Sequence, residues 1–169
     1  EIVGRALRGV HARTGLLRSG QTLAVGFSGG QDSTCLLHAL AGLRRDHGFR
    51  LVAVHVDHAL RPASGTDAET CVRLAERLDV PTPVVRVDVA AYPAGLKRWS
   101  VQQAARAARY QVLAAAAQGV AADAVLVAHT ADDQAETLLL NLARGTGLAG
   151  LTGMGLEESV DPRRLGPLL

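Results

Sequence analysis

The sequence holds two cysteines in 169 residues, Cys35 and Cys71, and neither has a second cysteine nearby. Neither a zinc ribbon nor an iron–sulfur site is suggested by such spacing, and the reduced thiols of a cytoplasmic protein are expected. Lysine is nearly absent as well: Lys97 is the only one, so the positive charge is almost all arginine. With a net charge of +2 and a pI near 8.9, the chain permits a nucleic-acid partner without requiring one. No apolar run reaches the roughly 18 residues of a membrane span, so no membrane partner is expected. The opening EIVGRALRGVHARTG is an amphipathic stretch and not a signal peptide. Repeats and low-complexity tracts are also missing. What is present is a 48% hydrophobic composition, enough for one compact core at this length. The chain begins without Met and stops at GPLL, read as an unfinished strand, so residues 1–169 are expected to be one domain of something longer.

Short apolar runs rich in β-formers alternate with longer segments of helical period, the pattern of a parallel sheet wrapped by helices. The runs are TLAVGF (22–27), LVAVHV (51–56), PVVRVDV (83–89) and AVLVAH (124–129). A helix between the first two carries Leu36, Leu37, Leu40 and Leu43 on one face and ends at Gly48, a natural C-cap. The next opens at Thr66, with Glu69 three residues on as a capping box, and turns Val72, Ala75 and Leu78 inward. A third runs from about Ser100 to Gln118 and a fourth from about Ala131 to Ala143. Ligands of such sheets bind beyond the carboxyl ends of the strands.

At the end of the first run stands VGFSGGQDSTCLL, residues 25–37. A strand ending at Phe27, a glycine turn and a helix from near Ser33 bring free backbone N–H groups to one point, where an anion belongs. Gly29 and Gly30 let the backbone approach oxygen atoms that a β-carbon would block, and the hydroxyls of Ser28 and Ser33 add hydrogen bonds. The P-loop pattern GxxxxGK[ST] needs a lysine that is missing here, which excludes a Walker-type NTPase. A carboxylate at Asp32 would repel a bare phosphate unless a divalent cation bridged the two, so Mg²⁺ and a pyrophosphate-bearing ligand are expected. The plainer alternative is an acid that stabilises a helix N-terminus.

Three further clusters carry chemistry. In AHTADDQAET (128–137), Asp132 and Glu136 are four apart and share a helical face, a spacing that disfavours an isolated helix unless a cation is near. His129 sits at the strand tip beside them. In HVDHALRP (55–62), His55 and Asp57 lie on one strand face with His58 at its end, either a zinc site or a substrate-lining strand end with Arg61 available for phosphate. In KRWSVQQAARAARY (97–110), Arg106 and Arg109 are three apart with Gln102 and Tyr110 beside them, suited to RNA or ATP phosphates or else a solvated helix face. Trp99 fits a core position better than a stacking platform. GTGLAG (145–150) matches the dinucleotide pattern GxGxxG, but it follows a helix instead of a strand and is read as a loop.

SGGQDS, HVDHALR, ARAARY, AHTADDQAET and RGTGLAGL, in this order and over about residues 20–155, resemble the N-terminal catalytic domain of the tRNA(Ile)-lysidine synthetase family. SGGxDS alone is similar to the wider ATP pyrophosphatases, which include GMP, NAD and asparagine synthetases and tRNA thiolases. The resemblance implies an adenine nucleotide alpha hydrolase-like, Rossmann-like α/β fold with a parallel five-stranded sheet and helices on both faces. It implies an ATP-dependent ligase that adenylates the wobble cytidine of tRNA(Ile) with a CAU anticodon, releases pyrophosphate, and lets free lysine displace AMP. On this likeness Ser28, Gly29, Gly30, Gln31, Asp32, Ser33, His55 and Arg106 bind ATP, and Asp32 with Glu136 binds Mg²⁺. Arg109 stabilises phosphate charge, and Asp132 or His129 takes the proton from lysine. A homodimer is allowed.

Some positions depart from the family pattern. Ser100 and Gln102 replace a usual Asn and Glu, Gly166 replaces a basic residue, and Ala59 stands where Gly is frequent. The family normally continues into C-terminal tRNA-binding regions. The rivals are a tRNA thiolase, another amide or carboxylate ligase of the family, and a non-catalytic adenine-nucleotide binder.

Overall fold

The computed structural model describes residues 2–57, 64–87, 101–133, 135, 136 and 139, and for 64 and 101–108 the backbone alone. In chain order the elements are α1 (Ile2–Thr14), β1 (Thr22–Gly26), α2 (Gln31–His47), β2 (Arg50–Asp57), α3 (Ser64–Glu76), β3 (Val84–Arg86), α4 (Val101–Gly119) and β4 (Ala124–Leu126). Residues 131–133, 135, 136 and 139 are helical too. The four strands form one parallel sheet in the order β3-β2-β1-β4. The fifth strand expected at the C-terminal end, and the GTGLAG loop, lie outside the described residues.

Strand alternation explains why helices cover both faces. Leu23, Val25 and Phe27 of β1 and its extension, with Leu51 and Ala53 of β2, join Leu7 of α1, Leu37, Leu40 and Leu43 of α2, and Cys71 and Ala75 of α3 in one buried cluster. Successive side chains of a strand point to opposite faces, so Gly26 faces the other way, where a β-carbon on it would meet Leu113 of α4 at 3.2 Å. Each fully buried leucine of the α2 stripe contributes roughly 1.5–3 kcal/mol of burial. Leu36, at the edge of that stripe, is only partly covered.

Helix ends follow local chemistry. Gly48 adopts φ 72° at the α2 C-cap and donates its N–H to the Arg44 carbonyl, as expected of a left-handed cap. The Arg44 guanidinium donates to the carbonyls of Leu78 and Asp79 and to the Asp79 carboxylate at 2.9 Å, tying the end of α2 to the turn after α3. Asp123 joins the starts of two strands: its carboxylate accepts from Thr22 N and its own N–H donates to Thr22 O, both at 2.8 Å.

The boundaries of α3, β3 and β4 differ from those expected. The α3 helix begins at Ser64, two residues before Thr66, so Thr66 is no N-cap; its carbonyl accepts from the Thr70 hydroxyl inside the helix. Its inward face is Ala68, Cys71 and Ala75, with Leu74 and Leu78 partly covered, while Val72 is half-buried and outside the core cluster. Among the described residues, strands β3 and β4 have three residues each, the positions at which ladder partners are found.

β2 and β3 lie on one side of β1, and β4 lies on the other. That reversal is the topological switch point, and a crevice opens there at the carboxyl ends of the strands. Both the SGGQDS turn after β1 and the AHTADD segment after β4 fall at this place.

Candidate active site

The turn after β1 is built from its own hydroxyls. The Ser33 hydroxyl donates to the Gly30 carbonyl at 3.0 Å and lies 3.0 Å from the Ser28 hydroxyl, whose oxygen in turn faces the Gly30 N–H at 3.4 Å. Ser33 is buried, whereas Ser28 is exposed. The α2 helix begins at Gln31, two residues earlier than the expected start near Ser33, with Gly30 as an N-cap that has no side chain to offer. The N–H groups of the first helical turn therefore have no side-chain cap and point out of the turn as anion donors. Gln31 and Asp32 occupy that first turn and are exposed.

The two glycines differ in what they require. Gly29 has φ +78°, and a β-carbon there would lie 2.6 Å from the Cys71 sulfur. Gly30 has φ −69° and ψ 164°, open to any residue, and a β-carbon would meet only the Ser28 hydroxyl at 3.4 Å. The backbone needs Gly29; Gly30 is free of that demand.

A cleft of about 520 Å³ sits over this turn at the strand ends, within the range of small-molecule sites. It brings together eight of the residues singled out by sequence: Ser28, Gly29, Ser33, His55, Asp57, Arg109, Tyr110 and His129. Gly30, Gln31, Asp32, Asp132 and Glu136 do not line it, and the last four are exposed side chains. The side chain of Arg106 and the residues His58, Arg61 and Trp99 lie outside the described set.

Within the cleft, His55 is buried and its Nδ1 contacts the Phe27 carbonyl at 2.8 Å, just before the glycine turn. Asp57, two residues on, is also buried and faces the exposed Arg86 across β3 at 3.9 Å. With the Nδ1 of His55 engaged and no cluster of three His, Cys, Asp or Glu ligands among the described residues, a zinc cage around His55 and Asp57 finds no support there. On the far lip, the Tyr110 hydroxyl lies 3.4 Å from His129 Nε2, linking α4 to the segment after β4. Arg109 precedes Tyr110 and is exposed to the opening.

Asp67, Cys71 and Asp133 also line the cleft without having been expected there, and the burial of Asp57 was not expected either. Asp133 had a readable signal. Thr130 and Asp133 form a capping box, in which the Asp133 carboxylate accepts from Thr130 N at 2.6 Å and from its hydroxyl at 2.8 Å, while Asp133 N donates to the Thr130 hydroxyl at 3.2 Å. This cap starts the helix at Ala131 and leaves Asp132 and Glu136 outward. Mg²⁺ binds through one or two carboxylates together with phosphate oxygens and water; Asp32 and Glu136, the pair expected to hold it, are both exposed and neither lines the cleft.

Residues 5–169 match the family described as PP-loop domain. The chain belongs to this PP-loop family. PP-loop relatives among curated proteins are named tRNA(Ile)-lysidine synthase: that of Aromatoleum aromaticum is 46% identical over 150 residues, 88% of this chain and 33% of its own length. Those of Deinococcus deserti (46% identical, 80% of this chain, 24% of the relative) and Rhodopseudomonas palustris (40% identical, 85% and 41%) give the same picture. The chain thus spans about a quarter to two fifths of the relatives it matches. Among solved structures, the U34-tRNA thiolase NcsA from Methanococcus maripaludis, with its 4Fe–4S cluster, superposes with a TM-score of 0.73 at 18% identity, over 89% of this chain and 52% of that one. At that identity the PP-loop fold is what the two share. Among the described residues of this PP-loop domain, no helix is long and apolar enough to cross a membrane.

The buried thiol behind the glycine turn gives a first prediction. Burial, and secondarily the negative charge of Asp67, push the Cys71 thiol above its ordinary value. The folded chain therefore holds this proton more tightly than the unfolded chain. The stabilisation is fully present below the ordinary thiol range of about 8.5 and is lost as pH rises through the higher folded value. Iodoacetamide at pH 8 is expected to alkylate exposed Cys35 at least about 10-fold faster than Cys71. Peptide mass spectra showing equal rates would contradict the burial argument.

Proposed function

We propose that this PP-loop domain is the ATP-using part of a cytoplasmic tRNA(Ile)-lysidine synthase. Its substrates are then ATP, free lysine and the wobble cytidine of tRNA(Ile) with a CAU anticodon. The observation that carries the reading is an uncapped helix N-terminus behind a glycine turn, opening into a cleft whose far lip bears Arg109 and His129. It stands in a chain 46% identical to proteins of that name.

In this reaction the C2 carbonyl oxygen of cytidine attacks the α-phosphorus of ATP, and the bond to the pyrophosphate oxygen breaks. The lysine amine then forms a bond to C2, and AMP leaves with the original oxygen. The carbonyl oxygen is a poor leaving group until AMP is attached, which is why ATP is needed. Ser28, Gly29, Gly30, Gln31 and Ser33 hold the phosphates with backbone N–H groups and hydroxyls. Asp32 and Glu136 would hold Mg²⁺, whose charge offsets that of the departing pyrophosphate. Arg109, with Arg106 on the same helix, balances phosphate charge as it develops. Lysine must lose a proton before attacking, and Asp132 or His129 accepts it, the latter oriented by Tyr110.

A thiolase reading shares the fold but lacks the ligands. A cubane iron–sulfur cluster is held by three or four cysteines, and this chain has one exposed thiol on α2 and one buried on α3. The deciding assay supplies labelled lysine, ATP and a CAU-anticodon tRNA(Ile) transcript. Label should enter the tRNA with equimolar AMP and pyrophosphate, and omission of lysine should stop AMP release. AMP formation indifferent to lysine would remove the lysidine assignment in favour of another ligase of the family.

A further inference from the structure

His55 is more than nine-tenths buried, yet only one of its ring nitrogens has a partner among the described residues. Its Nδ1 faces the Phe27 carbonyl at 2.8 Å, and a carbonyl can only accept. Nδ1 therefore carries the hydrogen, and in the neutral ring Nε2 is left as a bare acceptor. A buried acceptor with no partner is costly unless something fills it. The ring lines the cleft, so the partner that would fill it is the ligand.

The surroundings narrow the chemistry. Leu74 of α3 lines the same cleft and offers apolar surface, and the carboxylates of Asp57, Asp67 and Asp133 line it as well, while Val54 and Val56 alternate with His55 along β2 and reach it from the other face of the sheet. The cleft is also lined by Ser28, Gly29 and Ser33 of the glycine turn, and on the nucleotide reading of that turn the donor that meets this acceptor is the exocyclic amino group of a nucleobase. We propose that His55 reads the base bound in the cleft, its Nε2 accepting a hydrogen bond from that base's exocyclic amino group. Two bases of the proposed reaction carry such a group, adenine of ATP and the target cytidine, so the inference rests on the nucleotide reading of this cleft and sharpens it. The bond to Phe27 meanwhile fixes the ring and couples it to the residue that enters the glycine turn.

The test uses paired ligands that differ only in the amino group. One arm compares ATP with purine riboside triphosphate by calorimetry; the other compares tRNA bearing cytidine or 2-pyrimidinone at the wobble position by filter binding. In the wild type, loss of the amino group should weaken binding about 10-fold in the arm that contains the reading contact. In His55→Asn, whose amide can replace Nδ1 toward Phe27 but not Nε2, both ligands of that pair should bind equally, with an unchanged far-ultraviolet spectrum. His55→Gln, whose amide oxygen can stand at the Nε2 position, should recover part of the discrimination. No discrimination in either arm of the wild type, or discrimination untouched in His55→Asn, overturns the proposal. Base discrimination that depends on His55 in a protein unable to use lysine would instead remove the lysidine assignment and leave this role standing.

Discussion

Replacing Asp32 with alanine is expected to cut pyrophosphate release from ATP by on the order of 100-fold or more, the size of effect seen when a charge-stabilising group is removed from a transition state. The fold should not notice. Asp32 is exposed, sits in the first turn of α2, and makes no side-chain hydrogen bond that caps the helix. Its contribution to helix stability is the dipole term, about 0.3–1 kcal/mol. The melting temperature should therefore fall by no more than about 2–4 °C, the shift that 1 kcal/mol produces in a chain of this size. The role of the carboxylate depends on whether a cation is held beside it. Without a cation, a carboxylate beside uncapped N–H donors would oppose phosphate binding, so its removal alone would tighten the anion. With a cation, the same carboxylate helps hold the charge that the leaving pyrophosphate needs. The sign of the change in ATP affinity thus separates the two cases. Weaker Mg²⁺-dependent binding with lost turnover supports the metal role, and tighter binding with turnover intact would end it. Glu136→Ala should give the same phenotype, its side chain being exposed as well.

The parts of this architecture that a sequence can show are those governed by local period and backbone chemistry. Leu37, Leu40 and Leu43 announced the buried stripe of α2, and Gly48 announced its end, because both depend on residues within two helical turns. The glycine turn was legible for the same reason: anion donors at a helix start need only a strand, small residues and a helix in succession. The α3 start was misplaced because Thr66 and Glu69 match a capping box in letters, while the chain winds into helix already at Ser64. What the sequence could not show was depth. His55 and Asp57 read as a strand end, but their burial depends on β3 and α3 packing over β2 from positions far along the chain. Cys71 carried no signal toward the site at all. It lies against Gly29 only because α3 crosses the turn, a contact between segments more than forty residues apart. The Tyr110–His129 contact is likewise made by strand order, since β4 pairs with β1 and brings its tip beside α4.

That crossing makes the two glycines separable, with opposite expected phenotypes. Gly29→Ala should lower stability by about 2–4 kcal/mol: roughly 1–2 from forcing an L-residue to a left-handed φ, and the rest from a methyl group 2.6 Å from the Cys71 sulfur. In a chain of this length that is a fall in melting temperature of about 4–16 °C. Removing the sulfur should return the steric part and leave the backbone part, so Gly29→Ala combined with Cys71→Ala should be more stable than the sum of the single changes by about 1 kcal/mol. Strict additivity in that cycle would mean the contact is not what resists the methyl. Gly30→Ala behaves otherwise, because its extended backbone accepts alanine and its β-carbon meets only a hydroxyl at 3.4 Å. Alanine is a poorer N-cap than glycine, so a loss of up to about 1 kcal/mol is expected and no more. If the phosphates approach the N–H groups of Gln31 and Asp32 along the α2 axis, as proposed, its methyl would stand in their path. ATP affinity should drop on the order of 10-fold or more, the scale of a lost charge-assisted hydrogen bond. A Gly30→Ala protein that binds ATP as the wild type does would show that the phosphates do not approach along the α2 axis, and the anion site would have to be sought elsewhere in the cleft.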